Sequence, residues 1–313
     1  MKILFCTKND IFGATILNFI LPRLAGHEVR VFLSDKTRSA ENQVPELSEE
    51  KFLERDFPLQ VVFPAIDAGA DAGELLTFAG CARKFGVSIE ICQKINSPES
   101  EQEIRAWAPD VIVSARFSLI FKGNIERIPR FGIYNIHPGA LPGYAGLCAP
   151  LRGLVNGEER LGCTLHKIDM GIDTGPIYSV STMPATPSAS VFSHIAHLYE
   201  MGLTSLLEVL QALAAGRQPQ MRQQTQEGFR YYHLPGSEVF EQMRRLGIRP
   251  VAFDAYSELV RRFCPVTVSP NLLEIISPAV VEQATADIHT QGIDGVVERL
   301  RAPLAHEGLA IRA

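Results

Sequence analysis

Gly132-Ile133-Tyr134-Asn135-Ile136-His137-Pro138-Gly139 is an apolar run that ends in polar side chains and a Pro-Gly turn. The run predicts a β-strand, and residues two apart on a strand point to the same face. Asn135 and His137 should therefore project together, about 7 Å apart along the strand. They stand at its carboxyl end, which is the edge where open α/β sheets bind ligands.

Similar apolar runs alternate with helix-like stretches on the amino-terminal side of this strand. This alternation is typical of βαβ units, and we predict an α/β fold with a Rossmann-like, mostly parallel twisted sheet of about seven strands flanked by helices. The Cys163–Ile168 run alternates in polarity, as an edge or antiparallel strand does. The predicted strands are Ile3–Cys6, Val29–Leu33, Gln60–Phe63, Ser88–Cys92, Val111–Ser114, Gly132–Ile136, Cys163–Ile168 and Pro176–Met183. The predicted helices are Ala14–Leu24, Ala72–Phe85, Glu101–Ala108 and one or two between Ala189 and Ala215.

The pattern changes after Gly216, a residue type that ends helices. Residues 218–228 are polar and rich in glutamine, and they predict a linker or an extended crossing segment. The short helical patterns that follow indicate a small, mainly helical C-terminal appendage. We therefore predict one domain over residues 1–217, and a linker with a helical region over residues 218–313. These later helices are predicted at Glu238–Leu246, Ala255–Phe263, Val280–Ile288 and Val296–Arg301.

Composition and charge narrow the class of protein. The 313 residues are 46% hydrophobic and 21% charged, which is ordinary for a globular protein with a sizeable core. The net charge is -5, whereas nucleic-acid binders usually carry a basic patch. A nucleic acid is therefore not expected as the main partner.

The ends and the cysteines suggest a reducing compartment. The six cysteines form no C-x-x-C pair, so neither a disulfide framework nor a zinc site is expected. No signal peptide precedes the first strand, and no apolar run approaches the roughly 20 residues that span a bilayer. We expect a cytoplasmic protein without a membrane partner, and a homodimer stays open.

A second group of polar residues follows the Asn135 strand. Three glycines and two prolines between residues 138 and 146 predict a loop whose backbone can approach a ligand closely. Further on, Asp173 lies between Gly171 and Gly175, which permit a tight, exposed turn between two strands. An acid in such a turn can be aimed into a cleft.

Asn135, His137 and Asp173 together suit acyl transfer without a covalent enzyme intermediate. The asparagine can donate an N–H to a developing oxyanion. An imidazole, with an ordinary pKa of about 6.5, exchanges protons near neutral pH. The aspartate can orient that imidazole or take the proton that leaves an attacking amine.

The order of these motifs resembles the formyltransferase family that uses 10-formyltetrahydrofolate. The resemblance rests on Asn-Ile-His-Pro at 135–138, Leu-Pro at 141–142, Gly146 and Asp-Met-Gly-Ile-Asp-Thr-Gly at 169–175. The family includes glycinamide ribonucleotide transformylase, methionyl-tRNA formyltransferase and sugar-nucleotide N-formyltransferases. The match is close over residues 110–185 and loose over residues 1–215, so residues 1–217 would be the catalytic domain.

The resemblance implies an enzyme of one-carbon metabolism, in which 10-formyltetrahydrofolate is the formyl-donor cosubstrate. The family's catalytic asparagine, histidine and aspartate fall on Asn135, His137 and Asp173. The asparagine and histidine would stabilise the tetrahedral intermediate, and the aspartate would assist proton transfer. The resemblance places the folate-binding positions at Ile120, Phe121, Ile133, Ile168, Asp169 and Ile172.

Two departures from the family pattern bear on the acceptor. Gly139-Ala140 stands where the family often has Ser-Leu, within the loop that follows the histidine. The tail is helical and not basic, whereas methionyl-tRNA formyltransferases carry a basic β-barrel. We therefore expect a small-molecule amine as acceptor.

Three other interpretations stay open at this point. The same three residues could hydrolyse the formylated folate, with water as acceptor. The chain could also be a non-catalytic binding protein on the same scaffold. His194-x-x-His197 has the spacing of half a metal site on one helix face, although the sequence offers no matching ligand cluster.

Overall fold

A computed structural model describes residues 1–186 and 188–305. Its main sheet has seven strands in the order β3-β2-β1-β4-β5-β7-β8. The first five strands in this order form four parallel pairs, and β7 pairs antiparallel with both β5 and β8. The predicted sheet is confirmed, as is the antiparallel strand after Cys163. The strands of this sheet are β1 (Lys2–Lys8), β2 (Glu28–Ser34), β3 (Ser88–Cys92), β4 (Val111–Ala115), β5 (Ile133–His137), β7 (Arg160–Lys167) and β8 (Ile177–Pro184).

A second, two-stranded sheet is small. It pairs β6 (Ala145–Gly146) in parallel with β9 (Tyr231–Tyr232). The helices are α1 (Ile11–Ile20), α2 (Pro45–Lys51), α3 (Phe63–Asp67), α4 (Phe78–Phe85), α5 (Pro98–Trp107), α6 (Gly123–Glu126), α7 (Ala149–Val155), α8 (Val191–Ala214), α9 (Ser237–Arg245), α10 (Phe253–Phe263), α11 (Pro270–Ile275) and α12 (Pro278–Ala305). The last of these is interrupted at Gly292, whose φ of 73° is not helical.

The strand predicted at Gln60–Phe63 is wrong. These residues lie in a helical run that continues from α2 through two π-helical turns into α3. Val61 and Val62 have side chains that favour strands. However, Leu53, Phe57 and Val61 are buried at four-residue spacing, which is the period of one helix face. Packing of that face overrides the local preference.

The predicted helix at Ala72–Phe85 begins later than expected. Residues 72–77 are not helical, and α4 starts after Thr77, whose hydroxyl accepts a hydrogen bond from the backbone N–H of Gly80. Such a capping residue marks the first turn of a helix. The other helices predicted before Gly216 are present, with ends displaced by a few residues.

The chain divides into two compact units. The first comprises Met1–Asn9, Phe19–Lys36 and Val87–Arg249, and it holds both sheets. The second comprises Asp10–Asn18, Thr37–Gly86 and the described residues from Pro250 onward, and it is helical. The mainly helical C-terminal region is therefore confirmed.

The two units do not follow the boundary predicted between residues 217 and 218. Residues 218–249 belong to the first unit, because β9 pairs with β6 there. Residues 306–313 of the predicted C-terminal region lie outside the described residues. Over the described chain, no helix combines the length and the apolar character needed to cross a bilayer.

Candidate functional site

β5 carries two of the three predicted catalytic side chains. Asn135 is the register partner of His166 on β7, and His137 is the partner of Thr164. The Nδ2 atom of Asn135 lies 3.1 Å from Nε2 of His166. The antiparallel pairing of β5 with β7 therefore adds a second imidazole to the same face of the sheet.

The loop after His137 is fixed by the neighbouring strand. The hydroxyl of Thr164 donates to the backbone oxygen of Gly139 at 2.7 Å and accepts from the N–H of Leu141 at 3.1 Å. A Cβ atom at Gly139 would lie 2.5 Å from both His137 Nε2 and the Tyr144 oxygen. The Pro-Gly turn predicted from the sequence is thus a steric requirement of the site.

Asp173 lies between the two imidazoles. Its Oδ2 is 3.6 Å from Nδ1 of His137, and its Oδ1 is 3.5 Å from Nε2 of His166. The backbone N–H of Gly146 donates to Oδ2 at 2.9 Å. Asp173 itself has a φ of 55°, in the left-handed region that few residues other than glycine adopt.

The electrostatics of the site centre on this carboxylate. Burial leaves its side chain only 11% exposed and by itself raises the pKa of Asp173. The charge of His137, the contact with His166 and the Gly146 N–H outweigh that effect, and they hold the pKa well below its usual range. Asp173 is therefore an ionised base throughout the neutral range.

Hydrogen-bond partners assign the protons of the two rings. His137 Nε2 lies 2.6 Å from the Tyr144 carbonyl oxygen, which can only accept, so this nitrogen carries a proton. Its Nδ1 then faces the Asp173 carboxylate, and protonation there forms an ion pair. His166 Nδ1 donates to the Lys167 carbonyl oxygen at 2.9 Å, so Nε2 of the neutral ring accepts from the Asn135 amide, whereas Nε2 of the charged ring donates to Asp173.

This arrangement can stabilise an oxyanion and move a proton. Asn135 Nδ2 carries two hydrogens, and His166 accepts only one of them. The other can be donated to an oxygen that develops negative charge. His137 can donate its Nε2–H to the same oxygen only after this N–H breaks its hydrogen bond with the Tyr144 carbonyl oxygen.

The three predicted catalytic residues are thus brought together, whereas His166 was missed. It is 1% exposed and touches both Asn135 and Asp173. The signal available in the sequence was a polar residue within the apolar run of β7, seven residues before Asp173. Only the pairing of β7 with β5 places that residue in the site.

The predicted folate-binding residues fall into two groups. Phe121 and Ile133 are buried in one hydrophobic cluster, and Ile168 packs against it. Ile120 is 63% exposed and Ile172 is 44% exposed. The Asp169 carboxylate accepts from the Thr174 hydroxyl at 2.6 Å and from the N–H of Gly171 at 3.0 Å, so this side chain shapes the turn that carries Asp173.

The histidine pair on α8 is held by helix contacts. His194 Nδ1 donates to the Ser190 oxygen at 2.8 Å, and its Nε2 accepts from the N–H of Thr186. His197 Nδ1 donates to the Ser193 oxygen. Among the residues described, no group of three or more histidine, cysteine or acidic side chains is arranged to hold a metal ion.

The fold and the site define an α/β protein of Rossmann-like class, with a polar cluster at the carboxyl edge of its sheet. Residues 83–210 match the family described as formyl transferase. This part of the chain, which contains Asn135, His137 and Asp173, is thus similar to the formyl transferase family.

Known formyltransferases are similar to this chain in sequence or in fold. A methionyl-tRNA formyltransferase of Dehalococcoides mccartyi is 29% identical over 187 residues, which are 56% of this chain and 60% of that protein. A solved 4-N formyltransferase from Francisella tularensis has a TM-score of 0.51 at 15% identity and covers 74% of this chain and 76% of its own. An N-formyltransferase from Helicobacter canadensis, solved with folinic acid and dTDP-3-aminofucose, has a TM-score of 0.50 at 18% identity and covers 79% and 80%.

These likenesses differ in extent. The chain spans 47 to 60% of the length of the first three curated relatives it matches. The two solved structures, at their low identity, show the shared fold alone.

Proposed function

We propose that this protein is an N-formyltransferase that moves a formyl group from 10-formyltetrahydrofolate to the amine of a small acceptor. The observation that carries the proposal is the position of the Asp173 carboxylate between His137, at 3.6 Å, and His166, at 3.5 Å, with Asn135 in contact with the second ring. The match of residues 83–210 to the formyl transferase family supports the same reaction.

The amine nitrogen attacks the formyl carbon and forms a C–N bond, while the carbonyl electron pair moves to the oxygen. Asn135 Nδ2–H stabilises this oxyanion, and the ion pair of His137 with Asp173 lies beside it. The attacking nitrogen loses a proton to the Asp173 carboxylate. The oxyanion then collapses to a carbonyl and the bond from the formyl carbon to N10 of the folate breaks. N10 takes up the proton held by Asp173, and tetrahydrofolate leaves.

The folate would lie on the apolar surface near these residues. Ile120 and Ile172 are exposed, as is Met170, whose sulfur comes close to Gly123. An exposed apolar surface beside buried polar groups suits the flat ring of a pterin. Ile120, Phe121, Ile133, Ile168, Asp169 and Ile172 remain our proposal for the folate-binding residues.

The net charge of -5 supports a small acceptor over a nucleic acid. The helical character of the described C-terminal residues supports it as well, because helices replace the basic barrel expected of a methionyl-tRNA enzyme. The name of the matching curated relatives, methionyl-tRNA formyltransferase, keeps methionyl-tRNA as the second candidate acceptor.

The test is a turnover assay with 10-formyltetrahydrofolate, run without an amine, with a panel of amino sugars and amino acid-derived amines, and with methionyl-tRNA. Tetrahydrofolate release that depends on a small amine supports the proposal. Equal release without any amine would identify a hydrolase. Formylation of methionyl-tRNA alone would overturn the small acceptor, and binding without turnover in every arm would favour a non-catalytic protein.

A further inference from the structure

Residues 222–232, which we call the return segment, run beside both loops of the site. Arg222 and Ile177 exchange two backbone hydrogen bonds of 2.8 Å beyond the Asp173 turn. At the other end, the Arg230 N–H donates to the Pro142 oxygen at 3.1 Å, and β9 pairs with β6. One extended segment thus joins the loop after His137 to the loop that carries Asp173.

Gln224 is the side chain of this segment that meets the catalytic turn directly. Its Nε2 donates to the Asp173 backbone oxygen at 2.9 Å and to the Gly175 backbone oxygen at 2.7 Å. Both amide hydrogens are therefore donated to the carbonyl oxygens of the residues on either side of Thr174. The Oε1 atom of the same amide is buried without a hydrogen-bond partner among the described residues.

The turn needs such support for a steric reason. Asp173 has a positive φ, and a side chain at Gly175 would collide with the Lys167 backbone oxygen. A non-glycine residue in that conformation persists only where its surroundings enforce it. The Gly146 N–H fixes the carboxylate end of Asp173, and Gln224 fixes its backbone end.

We infer that Gln224 is a positioning residue, which holds the Asp173 carboxylate between His137 and His166 for the reaction. Only the expected loss of kcat rests on the proposed function; the positioning of the carboxylate does not. Residue 224 lies beyond the predicted boundary of the catalytic domain, so the inference also extends the site into the segment predicted to be a linker or an extended crossing segment.

The test compares Gln224→Met with Gln223→Met in the full chain. Methionine keeps the length of the side chain and removes both donors, whereas Gln223 is exposed. We expect Gln224→Met to lower kcat about 10- to 100-fold, as small misplacements of catalytic groups do, with little change in the KM for the folate. Gln223→Met should match the wild type.

A double-mutant cycle separates positioning from general stability. In an Asp173→Asn background, Gln224→Met should cost at most about twofold more, because the group that it positions is already lost. If Gln224→Met lowered kcat in the Asp173→Asn background as much as it does in the wild type, the inference would be overturned. A folded Gln224→Met protein with kcat within about twofold of wild type would overturn it as well.

An NMR measurement, which requires no turnover, tests the inference independently of the proposed function. Carboxyl-carbon NMR of the aspartates, assigned with Asp173→Asn, follows the Asp173 titration, which depends on His137, His166 and the Gly146 N–H. Gln224→Met should move its midpoint to higher pH, and an unchanged midpoint would overturn the inference even in a chain that transfers no formyl group. If Gln224→Met does not fold, Gln224→Asn, whose shorter amide cannot span both carbonyls, takes its place under the same criteria.

Discussion

Asn135 of β5 and His166 of β7 are register partners, and their Nδ2 and Nε2 atoms lie 3.1 Å apart. Because His166 Nδ1 donates to the Lys167 carbonyl oxygen, Nε2 of the neutral ring accepts from Asn135 and orients its amide. The second N–H of the same nitrogen is left in a defined direction. A strand pair thus orients the donor proposed to meet the oxyanion.

The first prediction concerns this donor. Asn135→Ala should lower kcat about 100- to 1,000-fold, which is the usual cost of removing one oxyanion-stabilising donor, with a smaller effect on KM. Steady-state kinetics with formylated folate and the best amine measures it. Asn124→Ala, which removes an amide bonded to Glu101, is the matched control and should behave as wild type. A wild-type rate in Asn135→Ala would remove this residue from the mechanism.

The second prediction concerns His137. His137→Ala should lower kcat about 100- to 10,000-fold, because the ring both pairs with Asp173 and exchanges protons. His197→Ala changes a histidine on the exposed side of α8 and serves as the control. If both variants transfer formyl groups at the same rate, the assignment of the site itself fails.

The third prediction is a pH dependence of stability. The folded-state pKa of Asp173 is lowered from 3.8, so the pairing stabilises the fold above that pH and is lost as the pH falls through the folded pKa. The free energy of unfolding of Asp173→Asn should therefore lie below that of wild type at pH 7. The two should converge below pH 3.8, as urea titrations at several pH values would record. A difference independent of pH would contradict the ionised carboxylate.

The fourth prediction concerns Gly146, whose φ is 94°. A Cβ atom there would collide with the Tyr232 backbone oxygen, and the Gly146 N–H holds the Asp173 carboxylate. Gly146→Ala should lose at least 1 kcal/mol of stability, about the strain of a positive φ, and should also lose formyl transfer. Gly157 has a φ of 76° with nothing near its Cβ position, so Gly157→Ala should show the strain alone. Equal activity in the two variants would show that the contact with Tyr232 is not needed.

The sequence predicted those parts of the fold that depend on local pattern. β1, β4 and β5 are short buried runs bounded by turns, and their alternation with helices indicated the parallel sheet. Gln60–Phe63 failed because its strand-favouring side chains belong to a longer helix whose buried face has a four-residue period. Packing of the buried face, and not the strand preference of these residues, determines that the segment is helical.

The candidate site shows the same limit. Asn135 and His137 share a face because they are two apart on one strand, and Asp173 is marked by its glycines. His166 and Gln224 carry no such local mark. His166 depends on the register between β7 and β5, and Gln224 depends on a segment that returns from 51 residues further along the chain.

The return segment also bears on how such chains can be rearranged during evolution. Because residues 222–232 are built into the unit that holds the sheet, an exchange of the C-terminal part keeps the partner of β6 only if the recombination lies beyond Tyr232. A crossover near residue 217, where the pattern of strands and helices ends, would replace the partner of β6 with foreign sequence. Inheritance should therefore keep the glutamine-rich stretch together with the strands, whatever helices follow it.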